Sequence, residues 1–133
     1  MRGRTMGALA VLALIAVAPA LAHHSFSAQF DIAKPVTLTG TITETRWSNP
    51  HAWIYIDVKG EDGKVVNWAF ETAAANQLYR RGWRREDVPV SALVTIEGWL
   101  ARNGSPTANA GAIKLQDGRR LFAGAPPSEG GPR

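Results

Sequence analysis

From Ala52 the chain alternates without a break. Ala52, Ile54, Ile56 and Val58 are one series, and Trp53, Tyr55 and Asp57 stand between them. Apolar residues repeating every second position predict a strand with one buried face. The same period recurs along the chain. In residues 36–47, Val36, Leu38 and Ile42 share a face, and Thr37, Thr39, Thr41, Thr43 and Thr45 share the other. Residues 64–71 place Val66, Trp68 and Phe70 on one side, and residues 93–100 do so with Val94, Ile96 and Leu100. Residues 110–115 read as a fifth strand, followed by a short extension over 119–122. Turn signals separate them, Asp62-Gly63 and Asp117-Gly118 among them.

One stretch changes period. Thr72 is placed as a helix N-cap, Ala75, Leu78 and Tyr79 have helical spacing, and Gly82 stands where a C′ glycine belongs. Trp83 follows and reads as a lid on the core. The order is three strands, one helix, two strands. Gly40 interrupts the apolar face of the first strand, and Trp47 falls on the wrong parity for it. A bend at Gly40 accounts for both, because a glycine or bulge lets one strand pass from one sheet to another. The predicted fold is therefore mainly β, a small five-stranded OB-like barrel with one helix between strands 3 and 4. An open α+β sheet is the alternative.

The first residues stand apart from this pattern. Arg2 and Arg4 are followed by an uncharged apolar run, Pro19 and Ala20-Leu-Ala22. That is the form of a secretory signal peptide over 1–22, too short for a comfortable membrane span. Cleavage after Ala22 leaves one domain over 23–122 and a Gly, Pro and Ser tail over 123–133, expected to be disordered. The expected location is periplasmic or secreted, with no membrane span after processing. Two of the fifteen basic residues and none of the eleven acidic ones precede His23, so the remainder carries a net charge of only +2. So small a balance does not argue for nucleic acid. The chain has no cysteine, so neither thiolate chemistry nor a disulfide framework enters.

His23-His-Ser-Phe26, Pro35-Val-Thr-Leu-Thr-Gly40, Asn49-Pro-His-Ala-Trp53, Arg80-Arg-Gly-Trp83 and Asp117-Gly-Arg-Arg-Leu-Phe122 together span nearly all of the processed chain. In this combination the sequence resembles a family of small exported bacterial proteins of unassigned function. The resemblance implies a secreted single domain and no particular activity. The helix start departs from it: Thr72-Ala-Ala-Ala75 stands where the family tends to carry Ser-Pro.

The chemistry lies in three histidines, His23, His24 and His51. Processing after Ala22 makes His23 N-terminal. Its α-amine, with a pKa near ~8, then deprotonates at little cost and chelates together with its own imidazole. His24 adds a second imidazole. His51 adds a third if Phe26 and Phe30 dock the N-terminal segment beside it. A nitrogen-rich set without thiolate suits Cu(II) first, then Ni(II) or Zn(II). The arrangement resembles the histidine brace of copper oxygenases in its ligands, not in its fold. The plainer reading is a polar cleaved end and a turn histidine that caps backbone.

Other constellations are thinner. Ser48, His51 and Asp57 are too common and too close in sequence to indicate a triad. Asp57 and Glu71 read as solvated carboxylates. Arg80, Arg81, Arg84 and Arg85 read as a solvated helix end, with a partner-protein or anionic-surface contact as second choice. Trp47, Trp53 and Tyr55 form a candidate aromatic face for a protein or small ligand. The expectation is a binding module: metal through His23, His24 and His51, or a metal-free interaction domain using that face. An enzyme stands third, for want of a catalytic constellation.

Overall fold

The protein is described by a computed structural model covering residues 26–124. The expected leader, His23, His24 and residues 125–133 lie outside the described residues. The alternating segments become strands: β1 (Phe30–Arg46), β2 (Trp53–Lys59), β3 (Val65–Glu71), β4 (Leu93–Ala101), β5 (Thr107–Lys114) and β6 (Arg120–Phe122). Two α-helical segments are present, a single turn α1 (Phe26–Gln29) and α2 (Ala75–Arg80), with a 3-10 turn at Arg85–Asp87.

The strands form one sheet in the order β3-β2-β1-β4-β5-β6, and β3 also pairs with β5. That last pairing is parallel, Ala69–Glu71 against Thr107–Asn109. Five strands therefore close into a ring, and the sixth extends from β5. The fold is mainly β, as the alternation predicted, and the open sheet is not what forms. The count differs by one, because the short extension is a strand in its own right. It pairs Ala112 with Phe122 and Lys114 with Arg120.

β1 makes the closure possible. Its 17 residues pair with β4 from Pro35 to Thr41 and with β2 from Thr41 to Arg46. Gly40 sits at the change of partner, where a Cβ would run into the carbonyl of Asp57. The parity switch itself lies three residues on. The register of β1 against β2 shifts between Ile42 and Glu44, leaving Thr43 as the extra residue. An inserted residue moves every later side chain to the opposite face. Ile42 is buried, and after the bulge Trp47 turns inward to pack on the core.

The β2–β3 hairpin fixes a second register. Gly60 N–H donates to Lys64 O, and Gly63 adopts a left-handed φ of 79°. This is a three-residue turn with glycine at the left-handed position. It sets Lys59 opposite Val65 and, at the far end, Trp53 opposite Glu71.

Ile42, Ile54, Ile56, Phe70, Val94 and Ile96 fill the ring, each 3% exposed or less. Every such side chain contributes about 1.5–3 kcal/mol by burial. Leu78 of α2 and Trp83 join the same cluster. Trp83 is 1% exposed, and its indole N–H donates to Phe122 O at 3.0 Å. The expected lid thus tethers β6. Gly82, at φ 95°, ends the helix as expected. Thr72 does not cap it. Thr72 is buried, with its hydroxyl 2.9 Å from Ala73 O and 3.1 Å from Ala52 O, and Ala74 takes the N-cap position. The ordered chain also runs past residue 122: Ala123 is fully buried and donates its N–H to Gly111 O.

Candidate functional site

Residues 48–51 join β1 to β2 and are anchored to the start of α2. Ser48 O accepts from Ala75 N–H, Asn49 Oδ1 accepts from Asn76 N–H at 3.3 Å, and Ser48 Oγ donates to His51 O at 2.6 Å. Beyond the last paired strand residues, Ala52 and Thr72 continue the ladder: Thr72 N–H donates to Ala52 O and Ala52 N–H to Ala73 O. His51 is held at the end of this ladder.

Its ring has a defined polarity. His51 Nδ1 lies 3.1 Å from Thr72 O and 3.3 Å from Glu71 Oε1. A carbonyl only accepts, so Nδ1 carries the proton. In the neutral ring Nε2 then holds the lone pair. Glu71 is 8% exposed, not solvated as expected from sequence. Burial raises its pKa above the ordinary carboxyl value, and the His51 charge offsets part of that rise.

His51 and Glu71 line a cavity of about 350 Å³ together with Phe26, Gln29, Phe30 and Arg81. Phe26 packs on Phe30 at 5.6 Å and edge-on against Trp99 at 5.7 Å between ring centroids. Arg102 clamps the same turn. Its Nε donates to Ser27 O at 2.8 Å, its backbone N–H to Gln29 O at 2.8 Å, and its Nη1 lies 3.5 Å from Asp31 Oδ2. Phe26 and Phe30 thus dock on the fold and line the cavity that His51 also lines. His24 and His23 precede Phe26 by two and three residues, outside the described residues.

The other candidates separate. Trp53 and Tyr55 come together on the outer side of β2, ring centroids 6.5 Å apart and planes at 25°, with the Arg46 guanidinium 4.9 Å above Tyr55. Trp47 packs instead against Tyr79 at 5.5 Å and Trp83 at 6.4 Å. Ser48 and Asp57 do not meet the His51 ring: Ser48 bonds the His51 carbonyl, and Asp57 accepts from Asn67 at 2.8 Å. Three of the four arginines near α2 are spent internally. Arg81 donates to Gly124 O, Arg84 to the carbonyls of Tyr79 and Trp83, and Arg85 to the Tyr79 hydroxyl. Among the described residues no group of three or more His, Cys, Asp or Glu is placed to hold a metal, and no helix is long and apolar enough to cross a membrane.

A protein-family model matches residues 10–110. The chain belongs to DUF6152, a family of unknown function. The DUF6152 match takes in all three histidines, Glu71 and Arg102, and ends within β5. No curated protein and no solved structure matches the chain.

Proposed function

We propose that this member of DUF6152 is an exported, OB-like β-barrel binding module that takes up a divalent metal, Cu(II) first, through His51, His23 and His24. The barrel reading is supported by the closed strand order, the parallel β3–β5 pairing and the helix between β3 and β4. The metal reading is carried by one observation. His51 Nδ1 is hydrogen-bonded to Thr72 O with the Glu71 carboxylate 3.3 Å away, and Phe26 lines the same cavity as His51. A ligating histidine characteristically donates its second ring N–H to a carboxylate or carbonyl, which fixes the tautomer and raises the basicity of the ligating nitrogen. Two or three extended residues span about 7–11 Å, so a chain leaving Phe26 has the reach to bring further nitrogens to the same cavity.

The test is a Cu(II) titration of protein beginning at His23. The comparison variants carry one added N-terminal alanine or His51→Ala. Tight one-to-one binding lost in both variants supports the site. Binding indifferent to both changes overturns it and leaves the metal-free reading, in which the Trp53 and Tyr55 pair meets a partner.

A further inference from the structure

We propose that the cleft on the far side of Glu71 is a binding site for a neutral saccharide. Glu71 lines two cavities: the one it shares with His51, and a second of about 500 Å³. Oε1 faces His51. A carboxylate lining the second cleft can accept hydrogen bonds from ligand hydroxyls.

The rest of the second cleft matches a sugar. It is walled by Trp53, Gln29, Arg102, Asn103 and Thr107. Trp53 offers an indole surface for the C–H face of a pyranose, and an N–H. Asn103 spends its Oδ1 on the N–H and hydroxyl of Ser105, so its NH₂ remains a donor. Gln29 brings a second amide, and Thr107 a hydroxyl. The charges argue for a neutral ligand. Glu71 is buried and repels phosphate, while Arg102 is offset by Asp31 at 3.5 Å. The volume lies within the ~300–1,000 Å³ range of small-molecule sites. The cleft is built from α1, the first residue of β1, Trp53 of β2, Glu71 of β3, and the β4–β5 loop with the strand ends beside it.

The experiment uses ¹⁵N-labelled protein beginning at His23, with EDTA present so that failure of the metal site leaves the result untouched. The probes are glucose, N-acetylglucosamine, cellobiose and di-N-acetylchitobiose. At least one is expected to give saturable shifts at the Trp53 indole N–H and the Asn103 side-chain amide. Affinity should fall about tenfold or more in Trp53→Ala and in Asn103→Ala, the scale of one lost stacking or hydrogen-bond partner. Trp53 lies on the outer side of the ring. Should its variant fail to fold, Asn103→Ala in the exposed loop carries the test. No shift with any probe, or shifts unchanged in the folded variants, overturns the proposal. So does a stronger response to free leucine than to every sugar, which would mark a zwitterion site instead.

Discussion

His51 Nδ1 lies 3.3 Å from Glu71 Oε1 across the ends of β2 and β3, and the two side chains differ in exposure, 49% against 11%. One partner faces solvent while the other is largely buried, beside a cavity that the N-terminal segment also lines. Glu71 is therefore placed to fix His51, and His51 to offset the cost of burying a carboxylate.

Glu71→Gln should change how stability depends on pH. Burial raises the Glu71 pKa on folding, and the His51 charge opposes that shift. A carboxyl raised on folding contributes stability in full below its unfolded pKa, near ~4.3, and loses it as pH rises through the folded value. Urea denaturation between about pH 4 and pH 8 should show the glutamine variant gaining on wild type as pH rises. Parallel profiles would mean that another group titrates.

The same substitution should weaken copper binding by about 10–100-fold, the usual effect of losing a carboxylate behind a ligating histidine. Competition with a chelator of known affinity measures it. Equal affinity would show that Thr72 O alone orients the ring.

Arg102→Ala removes the side-chain bond to Ser27 O and the ion pair with Asp31. These contacts hold α1 and leave the ring core untouched. Amide exchange should quicken across residues 26–31 while the urea midpoint stays close to wild type. A large drop in midpoint would show that α1 is integral to the core.

Gly40→Ala should destabilise the ring by about 1–3 kcal/mol, as overpacking does elsewhere. The added methyl meets the Asp57 carbonyl, which belongs to a paired strand and has little room to move. Denaturation at constant m-value checks this. Gly104→Ala meets no atom within 4 Å but sits at φ 76°, so its cost isolates backbone strain from crowding.

Trp83→Phe leaves Phe122 O without its 3.0 Å donor. The expected loss is about 1–3 kcal/mol. Exchange should be fastest along β6, and if β6 is no less protected than before, the indole bond is not its tether.

Much of the ring was legible in sequence. Each strand with one buried face alternates, and Gly82 and Trp83 mark the end of α2 and its lid. What stayed hidden has physical reasons. α1 has four residues, too few for a helical period to show. The bulge at Thr43 has no composition of its own, whereas the visible glycine at position 40 answers a close approach rather than an extra residue. Glu71 looked solvated because the residues that line its cavities with it, Gln29 and Phe30 among them, are distant in sequence. Its neighbour could have been found. Counting outward from a three-residue turn with Gly63 left-handed places Glu71 beside Trp53 and diagonal to His51. A two-residue reading of Asp62-Gly63 shifts that pairing by one and hides it. His23 and His24 lie outside the described residues.

The double pairing of β1 also governs the order in which the molecule can assemble. β1 is made early, yet its first half is matched only by β4, with Phe30 finding Ala101 and Val36 finding Gly98. Closing so long a loop comes late and slowly. A nascent chain that stops short of Leu93 holds the first half of β1 with no strand beside it. The hairpin of β2 and β3 can form locally, but the ring waits for nearly the whole domain to be synthesised.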